Sequence, residues 1–92
     1  MTDQRYELVV APTVRRQLAE TLPEAVAFAA YEFITGPLLD NPHRVGKRLP
    51  RPLEDRHSAR RGTYRVVYRI DDEQRRITVV GVFSRAEAYR KQ

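Results

Sequence analysis

Between Tyr64 and Ile70 the chain alternates with a period of two. Tyr64, Val66, Tyr68 and Ile70 are apolar, and Arg65, Val67 and Arg69 stand between them. The pattern predicts a strand over Thr63 to Ile70 with one face in the core and the other open. Asp71-Asp72-Glu73-Gln74 predicts a turn, and Ile77 to Phe83, rich in β-branched residues, predicts the hairpin partner. Tyr6 to Val10 is a short alternating run stopped by Pro12, which predicts a first strand. The period then becomes helical: Val14, Leu18 and Leu22 form a stripe, giving a helix over Thr13 to Glu20 with Arg15, Arg16 and Gln17 turned outward. Thr21-Leu22-Pro23-Glu24 has the form of a capping box. It would open a second helix, Glu24 to Thr35, whose stripe is Val26, Ala30, Phe33 and Ile34 and which Gly36-Pro37 ends. Leu38 to Pro52 predicts a connecting loop, and the less regular Arg56 to Arg61 a further strand.

The order β-α-α-β-β-β predicts an α+β fold. Two N-terminal antiparallel helices would pack on one face of a mostly antiparallel, twisted four-stranded sheet. The other face, bearing Arg65 and Arg85, is left for a ligand. Ninety-two residues are expected to make one domain, 1–92, with a single modest core. No run of 18 apolar residues occurs, so no membrane span is expected, and MTDQRYELVV has no secretory pattern. The absence of cysteine excludes disulfides and fits a cytoplasmic chain.

Charge sharpens the picture. Residues 1–42 carry three arginines against six acidic residues, whereas residues 43–92 carry fourteen Lys or Arg against six acidic residues, a split of −3 and +8. Fifteen of the seventeen basic residues are arginine, whose planar fork grips two phosphate oxygens at once and stacks on bases. An arginine-rich genome would explain the Arg/Lys ratio but not the split. A polyanionic partner explains both.

Several chemistries lack their residues. The glycines at 36, 46, 62 and 81 form no phosphate loop, and two histidines fourteen residues apart without cysteine predict neither a metal site nor a cofactor. Ser58 and Ser84 lack the context of a nucleophilic serine. Arginine, histidine and tyrosine remain, with Glu54, Asp55 and Glu87 nearby, and this set is able to cut RNA without metal. Such cleavage needs the 2′-OH deprotonated, the pentavalent phosphate stabilised and the 5′-oxygen protonated. Each residue also has a plainer role open to it. Arg65 could be a solvated strand residue, Tyr64 and Tyr68 core, and His57 a turn hydrogen bond. Tyr89 has no packing role in the pattern.

The run Pro42-His43-Arg44-Val45-Gly46-Lys47, then Leu49 and Leu53, then His57-Ser58-Ala59-Arg60-Arg61-Gly62-Thr63-Tyr64-Arg65-Val66-Val67-Tyr68-Arg69-Ile70-Asp71, and finally Arg85-Ala86-Glu87-Ala88-Tyr89-Arg90, resembles the RelE/ParE superfamily of bacterial toxins. It looks closest to the RelE-type toxins of actinobacteria. The resemblance implies a metal-independent endoribonuclease that cuts mRNA in the ribosomal A site and thereby inhibits translation. Its partners would be the ribosome, mRNA and a short RelB-like antitoxin with a DNA-binding N-terminal region and an inhibitory C-terminal tail. It implies Arg65, Arg85 and Tyr89 as catalytic residues. The two lysines that the best-known member carries before its central strand fall at Arg56 and Ser58 here, so His57 or Arg60 would take over for the missing cation. Arg44, Lys47, Arg48, Arg56 and Arg61 would then bind RNA. The runner-up readings are a ParE-like gyrase inhibitor without nuclease activity, and a degenerate toxin acting only within an autoregulatory DNA-binding complex.

Overall fold

The computed structural model describes residues 5–84. Five strands form one sheet: β1 (Glu7–Val10), β2 (Lys47–Arg48), β3 (His57–Arg61), β4 (Tyr64–Asp71) and β5 (Arg76–Ser84). Their order is β1-β5-β4-β3-β2, and every pairing is antiparallel except β1 with β5. The sheet thus has one strand more than the four expected. The addition is the two-residue β2 inside the presumed loop, where Lys47 and Arg48 pair with Ser58 and His57.

Helices α1 (Pro12–Arg16), α2 (Glu24–Thr35), α3 (Pro37–Asp40) and α4 (Pro42–Val45) gather on one face. Val14, Ala30, Phe33, Ile34, Leu38 and Leu39 meet Ala59, Tyr64, Val66, Tyr68, Ile77, Val79 and Val82 in a single core. The helical and alternating stripes therefore found the inward residues correctly. Between β3 and β4, Gly62 takes φ 63° in a two-residue turn, a conformation that suits glycine and the twist of a hairpin.

Two local expectations fail for identifiable reasons. No side chain caps α2: Pro23 is its N-cap, and the Pro23 carbonyl accepts the Ala27 N–H at 2.8 Å. Residues Gln17–Thr21 form a π-helical turn in which the Leu22 N–H reaches the Gln17 carbonyl at 2.9 Å, leaving Thr21 outside any box. Gln17 is not turned outward either, because it lies three residues after buried Val14 and shares its face. Its amide donates to the Val82 carbonyl at 2.7 Å and accepts the Val82 N–H at 3.0 Å. β1 ends opposite Val79, so this side chain takes the place of a strand along the remaining edge of β5. Gln17→Leu keeps the bulk but leaves both Val82 groups without partners. We expect a loss of about 1–3 kcal/mol in urea unfolding with an unchanged denaturant slope.

One irregularity decides what the open face carries. Val67 pairs with Gly81 while Tyr68 pairs with Val79, so Val80 is an extra residue in β5. The bulge reverses the alternation. Ile77 and Val79 point into the core before it, Val82 does so after it, and Phe83 is turned to the open face.

Candidate functional site

The open face of β3 and β4 carries Ser58, Arg60, Arg65 and Val67, alternating with the buried His57, Ala59, Tyr64, Val66 and Tyr68. Arg60 and Arg65 are direct cross-strand partners. The register sets two guanidinium-bearing side chains at neighbouring positions on the open face, a setting that suits an anion. Above them the segment from α4 to β2 closes a concavity of about 520 Å³. Among the described residues its walls hold Arg44, Lys47, Arg48, Arg60 and Arg65, with Val45, Gly46, Leu49 and Ser58 and no carboxylate.

A buried hydrogen bond fixes the position of that wall. The fully buried Tyr68 hydroxyl donates to the Pro42 carbonyl at 2.7 Å, joining β4 to the start of α4. Burial raises the Tyr68 phenol to about 12, with Arg61 opposing the shift, and burial raises Tyr64 in the same way. Both phenols stay protonated and belong to the core. At Gly46 the wall passes so close to β3 that an added Cβ would lie 2.9 Å from the Ser58 carbonyl oxygen.

The predicted residues divide. Arg44, Lys47, Arg48, Arg60 and Arg65 come together in the cavity. Arg61 does not: its guanidinium lies 4.2 Å from the centre of the Phe33 ring on the helix side of the sheet. Arg56 stands outside the cavity beside Asp55, at 3.9 Å. Arg85 and Tyr89 lie outside the described residues. Ser84, just before them, pairs with Tyr64 next to Arg65.

His57 is also on the far side of the sheet from Arg60 and Arg65. It is 8 % exposed, lies nearly parallel to the Tyr68 ring at 5.6 Å, and faces the core because it alternates with Ser58. This placement corrects the expectation of a cation substitute beside Arg65. It faces His43 of α4, Arg48 of β2 and Tyr68 of β4, with Asp72 of the β4–β5 turn behind His43. Asp72 accepts hydrogen bonds from the Tyr6 hydroxyl at 2.5 Å and from His43 Nε2 at 3.0 Å. The Tyr6 bond, then His43, holds the Asp72 carboxyl below the usual range.

Burial, reinforced by His43 and Arg48, pushes the His57 imidazole below its ordinary value near 6.5. The sign for folding follows directly. The unfolded chain takes the proton first, so the stability from a neutral buried His57 is complete above about pH 6.5 and is lost as pH falls through that value. We expect the melting temperature to be flat from pH 8 to 7 and to drop between pH 6.5 and 5. His57→Phe, which keeps a ring against Tyr68, should flatten that drop in thermal scans.

Sequence reading missed two residues of the open face. Ser58 was legible from its alternation with His57 and Ala59. Phe83 was not, since no sequence pattern marks the bulge at Val80.

Comparison with known proteins shows the family. The family model described as ParE toxin of the type II toxin–antitoxin system parDE matches residues 9–89. Toxin RelE of Mycobacterium tuberculosis is 49 % identical over 88 residues, covering 96 % of this chain and 90 % of that one. Toxin RelG of the same organism is 45 % identical over 86 residues, covering 94 % and 98 %. A chain of the crystal structure of the M. tuberculosis toxin–antitoxin complex RelBE2 superposes with a TM-score of 0.82 at 44 % identity, over 88 % of this chain and 99 % of that chain. With its cation-lined open face, its sheet order and these relatives, the chain belongs to the RelE/ParE family of toxins of type II toxin–antitoxin systems.

Proposed function

We propose that the protein is a cytoplasmic endoribonuclease toxin that cuts mRNA on the ribosome and is held silent by a RelB-like antitoxin. The observation that carries this reading is the pair Arg60 and Arg65, opposed across β3 and β4 at the floor of a cavity whose wall adds Arg44, Lys47 and Arg48. Two guanidinium groups facing each other suit a group that gains negative charge as it reacts. A phosphodiester attacked by its own 2′-oxygen passes through such a state, and donors set in advance around it lower the barrier. Arg44, Lys47 and Arg48 on the wall would hold the flanking phosphates. Donors of this kind suit anions, so the phosphate would be held by guanidinium and ammonium groups rather than through a metal. Arg85 and Tyr89 complete the catalytic set by resemblance, with Tyr89 a candidate for the proton transfers and Ser84 bringing the chain to Arg65 just before them. His57, buried behind the sheet, is left out of the set.

The antitoxin partner is supported by the M. tuberculosis relative, solved as a toxin–antitoxin complex. An acidic or amphipathic tail would complement the cavity in charge.

Brief induction followed by mapping of 5′ ends should reveal discrete cuts within translated messages. Co-expression of a RelB-like antitoxin should abolish the cuts. Growth arrest without cuts, accompanied by inhibition of DNA supercoiling, would instead favour the ParE-type reading that the matched family model keeps open.

A further inference from the structure

We infer that Phe83 and Gly81 form a nucleobase subsite beside the arginine pair, where one base of the RNA stacks on the Phe83 ring. The inference rests on the ribonuclease reading and adds to it the element that would hold a base rather than a phosphate.

The bulge at Val80 turns Phe83 out of the core and sets it directly opposite Arg65, so Arg60, Arg65 and Phe83 form one row across three strands. Phe83 is 39 % exposed, an aromatic ring on a face otherwise lined with cations. The ring folds back along its own strand. A Cβ added at Gly81 would lie 2.5 Å from the edge of the Phe83 ring, so the ring occupies space that only a glycine leaves open. Val67, the cross-strand partner of Gly81, stands on the same face of β4.

The outcome is a small apolar platform one strand away from Arg65, and strands in a sheet are spaced about 4.8 Å apart. A long arginine and a ring on adjacent strands of one face are thus placed to meet the phosphate and the base of one nucleotide. Every base has a π-face, and stacking on an aromatic side chain is a general means of holding single strands. A ring needed only for stability would sit in the core, where an unbulged β5 would have put it. Three features serve the platform together: the extra residue, the glycine beneath the ring and the opposing arginine.

The test separates base from backbone. The probes are a 2′-O-methylated trinucleotide, which lacks the attacking hydroxyl, and the same molecule with an abasic central sugar. The chain has no tryptophan, so Phe83→Trp supplies a single tryptophan at the platform, excited selectively over the five tyrosines. Its emission should be quenched by the intact trinucleotide and not by the abasic one. Phe83→Ala should weaken binding of the intact trinucleotide about tenfold and of the abasic one less than twofold. Arg65→Ala should weaken both alike. Equal losses for the two probes in Phe83→Ala, or none for either, would overturn the subsite while leaving the phosphate site standing. Arg65→Ala without effect on either probe would instead bring down the RNA reading, and the subsite with it. Because Phe83→Trp keeps a ring over Gly81, a misfolded alanine variant would still leave the quenching comparison to decide.

Discussion

Arg65→Ala should lower RNA cleavage by about 10²–10³-fold, the range seen when one preorganised donor to a developing oxyanion is removed. Growth arrest on induction should disappear with it. The side chain stands on the open face of β4, and its loss uncovers no core residue, since Val66 and Tyr64 on either side point the other way. The variant should therefore keep its circular dichroism spectrum and melt within a few degrees of the parent. Arg65→Lys should recover charge but not the two-pronged grip, and so only part of the rate. A folded Arg65→Ala variant that still arrests growth would move the active centre elsewhere. Combining it with Tyr89→Phe extends the test to the C-terminal segment.

Gly46→Ala should have the largest effect on stability, about 2–3 kcal/mol, near the upper range for forcing extra volume into a packed site. The backbone at Gly46 is extended, with φ −141°, so any residue could adopt it. Space is the obstacle. A methyl there meets the backbone of Ser58 and the hydroxyl of Tyr68, and Tyr68 is fully buried. For a domain of this size, each kcal/mol shifts the melting temperature by roughly 4–8 °C. The same bond to Pro42 that places the cationic wall is the one displaced, so RNA affinity should fall along with stability. Tyr68→Phe alone should be mildly destabilising, because the Pro42 carbonyl loses its partner. In the Gly46→Ala background it should restore part of the loss by clearing the methyl. Strict additivity of the two changes in denaturant melts would refute the proposed clash.

How much of this was legible beforehand depends on the range of the forces involved. Tyr64, Val66 and Tyr68 showed their burial through period two, and Val14, Ala30, Phe33 and Ile34 through helical spacing, because these patterns are local. Arg60 and Arg65 were legible as residues, but their facing register was not, since it is set by the turn at Gly62. Pattern could not reveal β2, for a two-residue strand exists only by pairing with β3. The same holds for Gln17: a polar residue on a helix reads as solvent-facing until a strand edge needs its amide. His57 was misplaced because its neighbours in sequence are basic, while its neighbours in space are Tyr68 and His43. Arg61 was misplaced by the same step, one residue of alternation away from Arg60.

The opposed arginines also make the protein's folding responsive to its surroundings. The cavity exists only in the folded chain, so an anion held by its arginines binds the native state alone. By mass action the apparent stability then grows with the logarithm of anion concentration, by about 2.7 kcal/mol at a hundredfold excess over the dissociation constant. Phosphate or sulfate buffers should therefore raise the melting point more than chloride at equal ionic strength. In a cell the toxin would be most durable when seated on nucleic acid or covered by an acidic partner, and most exposed to proteases in passage between the two.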